Sequence, residues 1–113
     1  MKLWVDDIRP TPNGYVWCKS VNEAKVRISM VEKRNWRYLS HMNGGVPEEY
    51  EIELIDIDHD AGDFKYAGGD YIKLLDWLEE TNRNYPIKIH SMNPVGVENM
   101  RRIIQKNDWT EVR

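Results

Sequence analysis

The stretch Ile52-Glu53-Leu54-Ile55-Asp56-Ile57-Asp58-His59-Asp60 passes from an apolar run directly into acids and a histidine. A short apolar run bounded by polar residues reads as a buried strand. Two other runs end the same way: Leu3-Trp4-Val5 enters Asp6-Asp7, and Ile87-Lys88-Ile89 enters His90-Ser91-Met92-Asn93. If the three are neighbours in a parallel sheet, their carboxyl ends share one edge, where open α/β sheets place their sites. A hydrophobic core has no use for five aspartates, two histidines, a serine and an asparagine at that edge. The pattern points to a catalytic or metal-binding pocket.

The chain of 113 residues is expected to form a single domain over 1–113. Its 41% hydrophobic content and strong periodicity argue against disorder. The net charge of −3 gives no general nucleic-acid footprint, so bulk DNA binding is not expected. A single cysteine, Cys18, permits no intrachain disulfide and reads as a small buried residue. The start Met-Lys-Leu-Trp-Val-Asp is no signal peptide, and no run approaches the ~20 apolar residues of a membrane helix. The expectation is a cytoplasmic protein with no membrane partner.

Around the three runs the chain alternates. Ile8 to Gly14 is a loop, because two prolines and Asn13-Gly14 forbid a helix. Tyr15 to Cys18 is a second strand, and Ser20-Val21-Asn22-Glu23 is a capping box. Val21, Ala24, Ile28 and Val31 then fall on one helical face, with the helix fading near Asn35. Trp36 to Glu49 reads as loop, with His41 on its surface. Ala61 to Gly69 carries three glycines, the composition of a flap. Asp70 is placed to cap a helix running to about Thr81, with Ile72, Leu75 and Leu78 inward. Asn93-Pro94 starts a third helix, buried through Val97, Met100, Ile103 and Ile104. Trp109 to Val112 makes an edge strand. Strands alternating with helices imply an α/β fold with a mostly parallel sheet of five strands and about three helices. A parallel return normally takes a dozen residues. Ile8 to Gly14 supplies seven, so the second strand is either reached by an extended loop or antiparallel.

Charge dictates what the edge needs. Two carboxylates about 4 Å apart repel by roughly 4 kcal/mol at an effective dielectric near 20. Asp6, Asp7, Asp58 and Asp60 together need a divalent cation or shared protons. Hard oxygen ligands suit Mg²⁺ or Mn²⁺. Asp56, inside the strand, reads as structural. The helix start at Pro94 has free amides near Val95, Gly96 and Val97 for an anion, and Ser91 can add a hydrogen bond. The blander alternative is that Asn93 caps, Ser91 bonds locally and His90 is a satisfied core histidine. Arg9 either clamps a phosphate or pairs with Asp6 or Asp7.

Three motifs together, Leu3-Trp4-Val5-Asp6-Asp7-Ile8-Arg9-Pro10-Thr11-Pro12, Ile57-Asp58-His59-Asp60-Ala61-Gly62 and His90-Ser91-Met92-Asn93-Pro94-Val95-Gly96, resemble the cyclic-phosphate-processing receiver-like domains. These are divergent relatives of response-regulator receivers, found in bacteria and their phages. The resemblance implies a receiver-like (flavodoxin-like) sheet lacking the first and last receiver helices. It implies that Asp6 and Asp7 are the metal-binding pair, Asp58 the phosphoacceptor position and Ser91 the conserved hydroxyl residue. The lysine of ordinary receivers, which follows their last strand, has no counterpart here, which argues against a phosphorelay switch. His59, His90 and Asn93 are additional polar residues that suit an altered site.

The expected function is metal-dependent phosphoesterase processing of a cyclic phosphate in a nucleotide or RNA end. His59, His90 and Asp58 form the expected catalytic set, Arg9, Ser91, Asn93 and Gly96 the phosphate-binding set, and Asp6, Asp7, Asp58 and Asp60 the metal set. A metal-free variant with the two histidines as acid and base stays open. The alternative is a non-enzymatic receiver-like module that binds Mg²⁺ or accepts phosphate at Asp58 and regulates a protein partner. A haloacid-dehalogenase-like phosphatase fits less well, because that acidic motif follows a first strand.

Overall fold

The computed structural model describes residues 1–41 and 51–113, with side chains described for 1–34 and 51–113. Strands β1 (Lys2–Val5), β2 (Tyr15–Cys18), β3 (Leu54–Ile57), β4 (Ile87–Ile89) and β5 (Glu111–Val112) form one sheet in the order β2-β1-β3-β4-β5. Every neighbouring pair is parallel. This is the flavodoxin-like receiver order, whose direction reverses between β1 and β3. The second strand is therefore parallel, and the Asp6–Gly14 connection crosses as an extended loop.

The helices are α1 (Val21–His41), α2 (Ile72–Glu80) and α3 (Pro94–Lys106). Connections through α1, α2 and α3 all step the same way across the sheet. Right-handed crossovers in one direction put their helices on one face, and α1 packs on α2 and α2 on α3. That layer covers Leu3, Val5, Cys18, Ile55, Ile57 and Ile87, all fully buried. In α1 the inward stripe is Val21, Ala24, Ile28 and Val31, as the spacing predicts. Leu74, Leu75 and Leu78 of α2, and Met100 and Ile104 of α3, complete the core, while Ile72, Val97 and Ile103 are only half-buried. Burying one such side chain contributes about 1.5–3 kcal/mol.

Strand alternation puts Trp4, Tyr15, Trp17, Asp56 and Lys88 on the opposite face. The step from β1 to β2 runs the other way, so its right-handed connection crosses that face. Pro10 and Pro12 keep it from being a helix. The indoles of Trp4 and Trp17 pin this segment by donating to the Arg9 and Asp6 carbonyls at 3.3 and 2.8 Å. The sheet thus has helices on one side and, on the other, a loop.

Three local expectations need correction. Helix α1 continues to His41 instead of fading near Asn35, because no glycine or proline interrupts the chain between Ser20 and Asn43. The remainder of the loop expected up to Glu49 (42–49), and the side chain of His41, lie outside the described residues. Asp70 does not cap α2; its Oδ1 accepts the Ala61 amide at 3.1 Å. The Ala61–Gly69 segment, expected as an irregular loop, has local structure. It winds through a 3-10 turn at Gly62–Phe64, and its Ala67 carbonyl accepts the Asn22 amide. The capping box forms with the Glu23 amide donating to Ser20 Oγ, while the Glu23 carboxylate reaches the amide of Lys19.

Candidate functional site

The carboxyl ends of β1 and β3 lie side by side at the point where strand order reverses, and they carry Asp6, Asp7 and Asp58. One oxygen from each lies within 4.8 Å of the others. The three are not equivalent. Asp6 is fully buried, and its Oδ1 accepts the amides of Ile8 and Arg9, each at 2.9 Å. Its Oδ2 faces His90 Nε2 at 2.7 Å and Arg9 Nη1 at 3.4 Å. Burial pushes the Asp6 carboxyl up, but these donors outweigh it and hold its pKa below the ordinary 3.8. Asp7 has the opposite shift. Burial, then the charges of Asp6 and Asp58, raise its pKa. Asp58 Oδ1 accepts the His59 amide at 2.7 Å, and its Oδ2 lies 3.6 Å from Arg9 Nη1. Asp7 and Asp58 therefore keep lone pairs for an ion, whereas Asp6 has spent most of its own.

His90 sits beneath this group. Its Nδ1 is 2.6 Å from Asp56 Oδ1 and its Nε2 is 2.7 Å from Asp6 Oδ2. Each ring nitrogen faces a carboxylate oxygen, an arrangement that favours the protonated ring, in which both nitrogens donate. Burial lowers the His90 pKa, but Asp56 and Asp6 outweigh it and the net shift is upward. Asp6, Asp7 and Asp58 bring three carboxylates together, and Arg9 and His90 partner only some of their oxygens. Converging hard oxygen ligands are what a divalent cation such as Mg²⁺ or Mn²⁺ takes, so the residues fit one.

His59 is held differently. Its Nδ1 lies 2.8 Å from Asp60 Oδ1, and Asn93 Nδ2 approaches both at 3.4 Å. Among the described residues its Nε2 has no hydrogen-bond partner. The bond to His59 is the main cause of a lowered Asp60 pKa. Asp60, expected among the metal ligands, lies outside the three-carboxylate group and orients a histidine instead. Asn93 caps α3, its Oδ1 accepting the Gly96 amide at 3.0 Å. A Cβ at Gly96 would collide with the His59 ring, so this glycine makes room for the histidine. With the Gly96 amide on Asn93 Oδ1 and the Val97 amide on the Asn93 carbonyl, the open amides expected there reduce to that of Val95. Ser91 Oγ accepts the Asn93 amide at 3.1 Å and keeps its own proton to donate.

Arg9 joins the parts. Its Nη1 donates to the His90 carbonyl at 2.8 Å and faces Asp6 and Asp58. Nε and Nη2 remain for a ligand. Both readings of Arg9 from sequence concern this one group, since it pairs with Asp6 while half-exposed beside the centre. Two contributors escaped the sequence reading. Gly62 has φ +52, and a Cβ there would strike the Asp7 carboxylate; in the sequence it stood out only as one of the three glycines between Ala61 and Gly69. Trp4 is the other: it is a platform under His90, and its signal was its place two residues before Asp6.

Parallel strands in the order β2-β1-β3-β4-β5, acids at the ends of β1 and β3 and a hydroxyl after β4 define a receiver-like domain. The family model for the cyclic-phosphate processing receiver domain matches residues 1–106, and the chain belongs to that family. No curated protein and no solved structure matches it significantly. Among the described residues no helix is long and apolar enough to cross a membrane.

Proposed function

We propose that this domain is a metal-dependent phosphoesterase that opens a cyclic phosphate in a nucleotide or at an RNA end. The observation that carries the reading is the convergence of Asp6, Asp7 and Asp58, one oxygen of each within 4.8 Å of the others, with a half-exposed arginine and a carboxylate-held histidine beside it. Asp7 and Asp58 would hold Mg²⁺ or Mn²⁺ directly, with Asp6 anchoring the turn beside them. The bound cation would lower the pKa of a water and offset charge on phosphoryl oxygens.

Opening the ring adds water across one P–O ester bond. A new O–P bond forms, the ring P–O bond breaks, and one proton passes from water to the departing hydroxyl. We assign that proton to His59, because Asp60 holds its Nδ1 and Nε2 is the nitrogen then left to exchange it. His90 is unsuited to that work, since both its nitrogens are engaged. Arg9 and the Ser91 hydroxyl would hold phosphate oxygens.

The test is turnover of 2′,3′-cyclic nucleotides and of oligonucleotides ending in a cyclic phosphate, with Mg²⁺, Mn²⁺ and other divalent ions. Metal-dependent ring opening that is lost in Asp7→Asn and in His59→Gln is expected. No turnover with any ion on any of these substrates would overturn the reading.

A further inference from the structure

We propose that the hollow between the Ile8–Thr11 segment and Trp17 is the subsite for the aromatic base of a nucleotide, with Trp17 as its stacking wall. The inference rests on the phosphoesterase reading for the end of the ligand that sits at the acidic centre. The hollow measures about 280 Å³ and is lined by Asp7, Ile8, Arg9, Pro10, Thr11 and Trp17. Asp7 and Arg9 also belong to the acidic centre, so the hollow opens directly off it. Pockets that take whole drug-sized ligands measure roughly 300–1,000 Å³, and a space just below that range suits one base.

Trp17 is 45% exposed and Ile8 84% exposed, and both line this one hollow. The indole does not swing freely, because its Nε1 donates to the Asp6 carbonyl at 2.8 Å. With its only polar atom spent inward, the ring has only carbon surface to offer a ligand. Bases stack on such surfaces without regard to identity. Arg9 beside it favours the phosphate of the same ligand, so the aromatic wall and the cation read as two ends of a nucleotide.

The other recess near the site is less suited. A cleft of about 580 Å³ runs from Ser91 along α3, but no aromatic residue lines it. Its Arg101 and Arg102 are paired with Glu111 and Glu98.

The test is titration calorimetry in Mg²⁺ with two probes that differ only in the base, adenosine 3′-monophosphate and methyl riboside 3′-monophosphate. Wild type is expected to bind the adenosine compound about tenfold more tightly. Trp17→Ala should close that gap and Trp17→Phe should keep it. Should Trp17→Ala fail to fold, Trp17→Leu, which keeps apolar bulk and removes the aromatic face, must close the gap instead. Equal binding of the two probes by wild type, binding of neither, or a gap that survives in the folded Trp17→Ala or Trp17→Leu protein overturns the proposal. Hydrolysis is not the readout. A base preference without turnover would strike the phosphoesterase reading and spare the subsite, and turnover without a base preference would do the reverse.

Discussion

The imidazole of His90 lies flat on the indole of Trp4, ring centroids 3.9 Å apart and planes 1° from parallel. The ring is thus fixed on one side by an aromatic face and in its own plane by Asp6 and Asp56. Both of its nitrogens are engaged by carboxylates on the floor of the site. Replacing the histidine with alanine takes from the buried Asp56 its His90 contact and leaves Asp6 with only the Ile8 and Arg9 donors. Breaking a buried pair by removing one member costs about 3–5 kcal/mol. His90→Ala should lose stability on that scale in urea unfolding, and His90→Gln, which retains one donor, should lose less.

The same group sets the response to pH. The folded pKa of His90 is raised above 6.5, so its contribution is complete below that value and is lost as pH rises through the folded value. The folded pKa of Asp6 is lowered below 3.8, so its contribution is present above that value and is lost as pH falls through the folded value. Stability measured by urea should be greatest between the two and fall on either side. His90→Gln should flatten the alkaline slope, and imidazole carbon shifts in NMR should show His90 still charged above its ordinary range.

Gly62 is expected to control the ion site without touching an ion. Its φ of +52 and its closeness to the Asp7 carboxylate mean that Gly62→Ala strains the backbone and displaces Asp7. Mn²⁺ affinity measured by calorimetry should drop at least tenfold. Gly14→Ala is the control. Gly14 also has positive φ, +84, but nothing lies within 4 Å of a Cβ there. That variant should lose about 1 kcal/mol of stability and keep its Mn²⁺ affinity.

Asp60→Asn separates an orienting role from a ligand role. If Asp60 serves His59, the variant should lower kcat for cyclic phosphate opening about tenfold or more and leave Mn²⁺ affinity unchanged. A matching loss of Mn²⁺ affinity would return Asp60 to the ligand set.

Cys18 should be chemically silent in the folded protein. It is fully buried, and burial, followed by the nearby Glu23 charge, pushes its thiol up to about 12. Reaction with a disulfide reagent should proceed only as fast as the protein unfolds, and should become immediate in denaturant.

The strand ends and the Asn93-Pro94 helix start were legible from sequence because each is a local event: an apolar run meeting acids, or a cap followed by proline. What stayed hidden depends on register between distant strands. Trp4 and Asp6, Asp56, and Lys88 and His90 sit on one face only because β1, β3 and β4 pair Trp4 with Asp56 and Asp56 with Lys88. Without that register, His90 reads as one more free base. Asp70 misled for a related reason. Its position before α2 matched a cap, but the Ala61 amide competed for the same carboxylate and won. Asp60 likewise belonged by composition to the acids and by geometry to His59.

The shortest crossover in the sheet also carries two of the three clustered carboxylates. Asp6, Asp7 and Arg9 occupy its first residues, held by a tight local turn and by two indoles, while Pro12, Asn13 and Gly14 stand exposed at its far end. Rigidity and exposure are thus divided along one short segment: the half that fixes the acids is tied to the sheet, and the half that meets solvent takes no part in holding them.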